Sequence, residues 1–312
     1  MVTYRRQRSP LNQIQIKGKW LEYIIDSTSV NLTLEEVLKT KIFISGRRIQ
    51  KITRSNSLFV NNKNSFLKKK MKLKDIVKLR IEEEIQNSIQ PIFTNLDIIY
   101  EDQWLLIINK VAGLKVYPTD QKNDITLSNG IKYYYNNINQ KTGIHFVHRL
   151  DTNTSGAIMV AKNSYAHHLL DMQLQNNQIV RRYIAIATGF VEEFSGKIDQ
   201  PISKLNNLSN KRCVNIKGDI AITNYNVLKR NLELSVLDVT LDTGRTHQIR
   251  VHLSHIGHPL IGDILYGGTI TKELNRQALH CYELSWIDLS SQQRKTVTAT
   301  TPKDMENIMN SI

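Results

Sequence analysis

Cysteine is scarce. The 312 residues hold two, Cys213 and Cys281, far apart and without a Cys-x-x-Cys spacing. That excludes a disulfide framework and a cysteine-based zinc site, and it points to a reducing interior. No run approaches the roughly 18 apolar residues of a spanning helix, so no membrane association is expected. The basic start, Met1 to Arg8, leads into no apolar stretch, which speaks against a secretory signal and for the cytoplasm. Gly-x-Gly-x-x-Gly, the P-loop pattern, Gly-x-Ser-x-Gly and His-Glu-x-x-His are all missing. Neither a nucleotide cofactor, a nucleophile-elbow hydrolase nor a zinc-protease helix is indicated.

What is present is positive charge on an otherwise ordinary globular composition. Apolar residues make up 40% and charged ones 22%, too apolar for a disordered chain. Lys and Arg number 42 against 28 Asp and Glu, a formal +14. The excess is concentrated: residues 1–90 hold 19 basic and 8 acidic residues, while 91–312 hold 23 and 20. A small basic front attached to a nearly balanced body suits a module that grips a polyanion, although a plain solubilising excess has the same composition.

Four segments follow from the patterning: a basic tail over 1–16, a small α+β domain over 17–85, a linker over 86–94 and a large domain over 95–312. In the small domain, Leu32, Leu34, Val37 and Leu38 are spaced for a short helix. A second helix is predicted over 44–54, capped by Ser45, with Ile49 and Ile52 inward. Arg47, Arg48, Lys51 and Arg54 then mostly share one face, which suits phosphate contacts or simple solvation equally. Strands are predicted over 57–63, ending in the turn pair Asn61-Asn62, and over 74–81. This arrangement resembles the S4 RNA-binding fold, with Asn62 and Lys74 standing where that fold leads one to expect glycine.

The large domain reads as mixed α+β with a largely antiparallel sheet. Strands are predicted over 104–110, 156–161 and 182–189, a helix over 164–178, and a long hairpin over 221–242 turning at Arg230-Asn231. Two segments carry chemistry. His148-Arg149-Leu150-Asp151-Thr152-Asn153-Thr154-Ser155-Gly156 places a carboxylate and an arginine in a polar loop before an apolar strand. A self-satisfied turn is the alternative reading of that loop. Thr243-Gly244-Arg245-Thr246-His247-Gln248-Ile249-Arg250 runs from a strand end into a helix capped by Thr246. Arg245 then stands at the junction, where its guanidinium can hold a carboxylate bidentately. His247, His252, His255 and His258 invite a metal reading, but no acidic companion completes a ligand set, so no metal is expected.

Taken in order, these segments resemble the RluA-type pseudouridine synthases from about residue 95 to 290. Asn109-Lys110 with Gly113-Leu114, the loop 148–156, Arg182-Tyr183-Ile184-Ala185, the run 243–252 with Gly257-His258-Pro259, and Arg276-Gln277-Ala278-Leu279-His280 carry the likeness. Val111, Thr152-Asn153 and Cys281 depart from the usual pattern. The resemblance implies isomerisation of uridine to pseudouridine in structured RNA, with ribosomal RNA of the large subunit first and tRNA second. It implies no cofactor and a monomer. Asp151 would be the essential carboxylate and Arg245 its partner, with Tyr183 against the uracil. Arg149 would fill the space of a flipped nucleotide, and the basic face of Arg47, Arg48, Lys51 and Arg54 would touch phosphates. A non-catalytic RNA-binding factor on the same fold is the competing expectation.

Overall fold

The computed structural model describes residues 14–17, 19–81, 89–118, 124–140, 142–206 and 210–312. The first unit runs β1 (Ile14–Lys17), β2 (Trp20–Ile24), α1 (Leu34–Thr40), α2 (Gly46–Arg54), β3 (Leu58–Val60), β4 (Lys63–Asn64) and β5 (Ile76–Arg80). Its strands form one antiparallel sheet in the order β1-β2-β5-β3-β4.

Local chemistry explains these elements. Thr33 and Glu36 make a capping box: the Glu36 amide donates to Thr33 Oγ1 at 3.2 Å, and the Thr33 amide donates to the Glu36 carboxylate at 2.7 Å. The cap at Thr33 delays α1 by two residues relative to the apolar spacing. Ser45 caps α2 as expected, and Ile49 and Ile52 are its buried residues. Asn61 and Asn62 take φ of 53° and 61°, the left-handed pair that a type I′ hairpin requires. Lys74 is also left-handed, at 66°.

Two boundaries differ from expectation. The stretch expected as tail supplies a strand, because Ile14–Lys17 pairs with β2 and Ile14 packs against the core; the rest of that tail, 1–13, lies outside the described residues. The linker is partly outside them too, but its described end is docked. Asn129 Nδ2 donates to the Gln90 carbonyl at 2.8 Å, and the Ile92 amide donates to the Asn129 carbonyl at 3.2 Å.

The second unit continues with β6 (Ile98–Glu101), β7 (Leu105–Lys110), α3 (Leu127–Asn137), β8 (His145–Phe146), β9 (Ser155–Ala161), α4 (Ser164–Gln175) and β10 (Val180–Thr188). Then come β11 (Ser195–Asp199), β12 (Ile202–Lys204), β13 (Arg212–Val214), β14 (Ile222–Arg230), β15 (Leu234–Leu241), α5 (Gln248–His255), β16 (Leu279–Ile287), β17 (Arg294–Thr298) and α6 (Lys303–Ser311). The main sheet runs β11-β14-β15-β10-β16-β9-β7-β6, with β17 on β16 and β8 on β9. The fold is α+β with a mostly antiparallel sheet. All seven residues of β9 are buried, the mark of a strand covered on both faces.

One pairing in the main sheet is parallel: β9 against β16, with Ser155 opposite His280 and Gly156 opposite Cys281. It joins the two halves of the sheet directly after the loop that carries Asp151. Gly156 sits at φ 113°, and a Cβ there would lie 2.2 Å from the Cys281 carbonyl oxygen. Only glycine lets the strands close at this point. Tyr165 of α4 ties the two units together, its hydroxyl donating to the Ile42 carbonyl at 2.8 Å. No helix among the described residues is long and apolar enough to cross a membrane.

Candidate active site

Asp151 stands in the loop between β8 and β9. Its carbonyl accepts from the Thr154 amide at 3.1 Å, so its main chain makes a local turn while its carboxylate remains available. The turn expected from the local sequence is present, and it leaves the carboxylate free to face the cleft. Before it, His148 is buried and its Nε2 accepts from the Met159 amide at 3.2 Å. Burial pushes the His148 pKa down to about 3, so it serves as a neutral strut. Beneath the loop lies Lys110, 1% exposed. Its Nζ donates to the carbonyls of Val111, Leu114 and Thr152, each at 2.9 Å, so the ammonium's three donors join two loops. Burial lowers the Lys110 pKa to about 7 against the opposing charge of Asp151.

The partner of Asp151 is Arg250, not Arg245. Arg250 Nη1 lies 3.2 Å from Asp151 Oδ2. Its Nε and Nη2 donate to the two oxygens of buried Asp263 at 2.7 and 2.8 Å. The guanidinium also lies over the Tyr266 ring, 4.9 Å from its centre. Burial works against its charge, but the Asp263 hydrogen bonds and the two carboxylate charges outweigh that and raise its pKa. Arg245 is exposed and its Nε donates to the Ile220 carbonyl at 2.9 Å. The helix start decides between them. The cap of α5 is His247, in the left-handed conformation at φ 59°, not Thr246. That turn puts Arg250 on the buried first turn of α5 and leaves Arg245 before the turn. His247 itself comes within 3.9 Å of Asp151 and bonds Tyr266 Oη through Nδ1 at 2.8 Å. Burial lowers its pKa against the opposing charge of Asp151.

Tyr183 lies opposite Cys281 across the β10–β16 pairing, at a register shift that follows Arg182. It is 4% exposed, and burial raises its phenol pKa far above neutrality, so the ring presents an uncharged hydroxyl. A cleft of about 550 Å³ is lined by Asp151, Tyr183, Arg149, Arg181, Arg245 and Arg250 among others. The structure thus brings Asp151, Tyr183, Arg149 and Arg245 to one cavity, with Arg149 and Arg245 exposed. Of the front-domain residues, Arg47, Lys51 and Arg54 are exposed, whereas Arg48 is half-buried and its Nη2 donates to the Ile81 carbonyl at 3.0 Å. That bond ties α2 to its own sheet, because residue 48 falls on the flank of the helix nearest the strand end.

Two more of these histidines are engaged elsewhere. His252 bonds Thr223 Oγ1 and the Gln200 carbonyl, and His258 bonds the Thr188 carbonyl. Among the described residues no three His, Cys, Asp or Glu side chains are placed to hold a metal ion.

The RNA pseudouridylate synthase family profile matches residues 104–255. The chain is 38% identical over 294 residues to the uncharacterized RNA pseudouridine synthase YhcT of Bacillus subtilis (strain 168), covering 94% of this chain and 97% of that one. The chain belongs to the RluA-type RNA pseudouridine synthases. The synthase is also 40% identical over 239 residues to ribosomal large subunit pseudouridine synthase D of Pseudomonas aeruginosa, covering 72% of this chain and 74% of the relative. Its fold matches the structure of human RNA pseudouridylate synthase domain containing 1 with a TM-score of 0.55 and 27% identity, over 67% of this chain and 84% of that one. The enzyme is therefore an isomerase acting on RNA.

Sequence reasoning missed Arg250, Asp263, Tyr266 and Lys110 as members of the site. For Arg250 a signal was present: it lies within the run 243–252, five residues after Arg245. Gly262-Asp263 and Tyr266-Gly267 belong to the segments that carry the family resemblance, but they follow the stop at Gly257 and Pro259 and nothing in their spacing shows them turning back toward the helix they support.

Proposed function

We propose that this synthase isomerises a uridine in structured RNA, large-subunit ribosomal RNA first and tRNA second, with Asp151 as the essential carboxylate. The observation that carries this is a half-buried Asp151 held by Arg250 in a cleft whose other charged lining is mostly basic. A carboxylate acts only when ionised and aimed, and the guanidinium serves both needs. Asp151 either attacks the sugar at C1′, forming an ester bond that breaks again when C5 bonds to C1′, or takes a ribose proton that it later returns. On either route the N1–C1′ bond breaks, uracil turns, C5 bonds to C1′, the C5 proton passes to solvent and N1 takes up a proton. Tyr183 forms a wall against which the free uracil can stack.

Inside a helix the glycosidic carbon is hidden, so the nucleotide must be extruded at a cost of a few kcal/mol. Exposed Arg149, at the cleft next to Asp151, is suited to fill the vacated stack. Phosphate contacts offset that cost. Arg47, Lys51 and Arg54 line a second groove, of about 860 Å³, which α2 shares with Ser164, Tyr165 and His168 of α4. We assign this basic front, S4-like in its element order, to holding RNA. The ribosomal preference rests on relatives named as large-subunit synthases.

The decisive experiment is Asp151→Asn. Pseudouridine formation should vanish while RNA affinity stays within a few-fold, and full activity in that variant would refute the assignment. Mapping pseudouridines in total RNA from cells with and without the protein identifies the substrate.

A further inference from the structure

The family profile ends at residue 255, yet the backbone around Asp151 is held from beyond that point. Three consecutive loop residues each have a dedicated side-chain partner. The Thr152 carbonyl accepts from Lys110 Nζ at 2.9 Å. The Asn153 carbonyl accepts from Arg276 Nη1 at 3.2 Å, and Thr154 Oγ1 accepts from Gln277 Nε2 at 3.2 Å. Arg276 is 8% exposed, and its other edge forms a bidentate pair with Asp304 in the first turn of α6, at 2.8 and 2.9 Å.

We propose that Asp304 and Arg276 are positioning residues for the reaction: the α6 carboxylate orients the guanidinium, and the guanidinium fixes the Asn153 carbonyl and hence the aim of Asp151. This rests on the reading of Asp151 as the acting carboxylate. With its Nε and Nη2 edge fixed on Asp304 by two bonds, the planar fork holds Nη1 where it donates to the Asn153 and Gln277 carbonyls, each at 3.2 Å. The arrangement exceeds what attaching α6 requires. That helix is already anchored by Met305 and Ile308, which pack with Ile184, Ile186 and Val236 in a separate apolar cluster. A helix at the far end of the chain thereby becomes part of the active site without touching substrate.

The effect should fall on the chemical step. Misplacing a reacting group by about 1 Å can cost on the order of a hundredfold in rate. Asp304→Ala is expected to lower kcat roughly ten- to hundredfold with KM for RNA within twofold. Asp304→Glu should recover most of the loss, because a carboxylate again faces Arg276. Arg276→Lys should stay impaired, since one ammonium cannot replace a fork that serves Asp304 and the Asn153 and Gln277 carbonyls together. The substrate is total RNA from cells lacking the protein, labelled with tritium at C5 of uridine; tritium release measures turnover well below the melting temperature. Met309→Ala, which trims the α6 packing without touching the Arg276 pair, controls for simple loosening of the helix and should leave kcat unchanged. If Asp304→Ala does not fold, Asp304→Asn replaces it. A folded Asp304 variant with kcat within twofold of the parent overturns the proposal, as does a loss confined to KM or one that Met309→Ala reproduces. Asp151→Asn is run alongside: if it retains activity, the reading of the site fails; if it is inactive while the Asp304 variant works normally, the positioning role alone fails.

Discussion

Replacing Arg250 by Met keeps much of the side-chain stem and removes the charge that Asp151 and Asp263 share. Asp263 is 2% exposed and both of its oxygens receive Arg250 donors, so the variant leaves it buried and uncompensated. Breaking a buried pair from one side costs about 3–5 kcal/mol of stability. The Asp151 bond is a separate matter. It is a single charge-assisted hydrogen bond at 3.2 Å to a carboxylate that is 16% exposed, an interaction class worth about 1.5–3 kcal/mol. If that interaction is used to aim the carboxylate, kcat falls roughly 10- to 150-fold. The two effects separate in Arg250→Met/Asp263→Asn: the second change removes the orphaned charge, so the melting temperature should recover while activity does not. Arg245→Met is the matched control, exposed and bonded to a backbone carbonyl, and its kcat should stay within about threefold. Tritium release and thermal unfolding measure both quantities. Should Arg245→Met lose the larger part of kcat while Arg250→Met works normally, the pairing of Asp151 with Arg250 is wrong.

Three further outcomes are expected. Lys110 has a folded-state pKa near 7 against an ordinary 10.5, so the unfolded chain binds more protons between those values and stability rises with pH across that window. Urea unfolding of the parent and of Lys110→Met should show this rise in the parent alone, and an identical pH slope in both would contradict it. Gly156→Ala should destabilise by more than about 2 kcal/mol, because its Cβ would meet the Cys281 carbonyl and its φ disfavours alanine; an unchanged melting temperature would show that the strand junction can open. Exchanging Arg47, Lys51 and Arg54 for Gln should weaken RNA binding and flatten its logarithmic salt dependence by about 0.7–0.9 for each phosphate no longer neutralised. A salt slope equal to that of the parent would mean the face is merely solvated.

Much of the site was legible along the chain because its signals are short-ranged. Asp151 and Arg149 share one loop, and Tyr183 sits in a segment whose strand pattern is plain. The caps at Thr33 and Ser45 and the Asn61-Asn62 turn depend on groups within three or four residues of each other. Such bonds form whatever the rest of the molecule does, so residue identities alone determine them. The α+β class and the order of elements followed for the same reason, as did the basic front, which is a matter of composition.

The tertiary structure decided which cation meets Asp151. Arg250 is 99 positions away, and it reaches the carboxylate only because the chain turns left-handed at His247 before α5 docks beside the sheet. A single non-glycine residue with positive φ leaves no pattern in the apolar spacing. Lys110 and Arg276 stood in segments that carry the family likeness, but their contacts, like those of Asp304, were hidden: each is a polar side chain whose meaning lies in the distant carbonyl or charged group it finds once the chain has folded. Burial makes those partners obligatory, since an unpaired charge there is costly, and burial is a property of the folded chain rather than of any stretch of it.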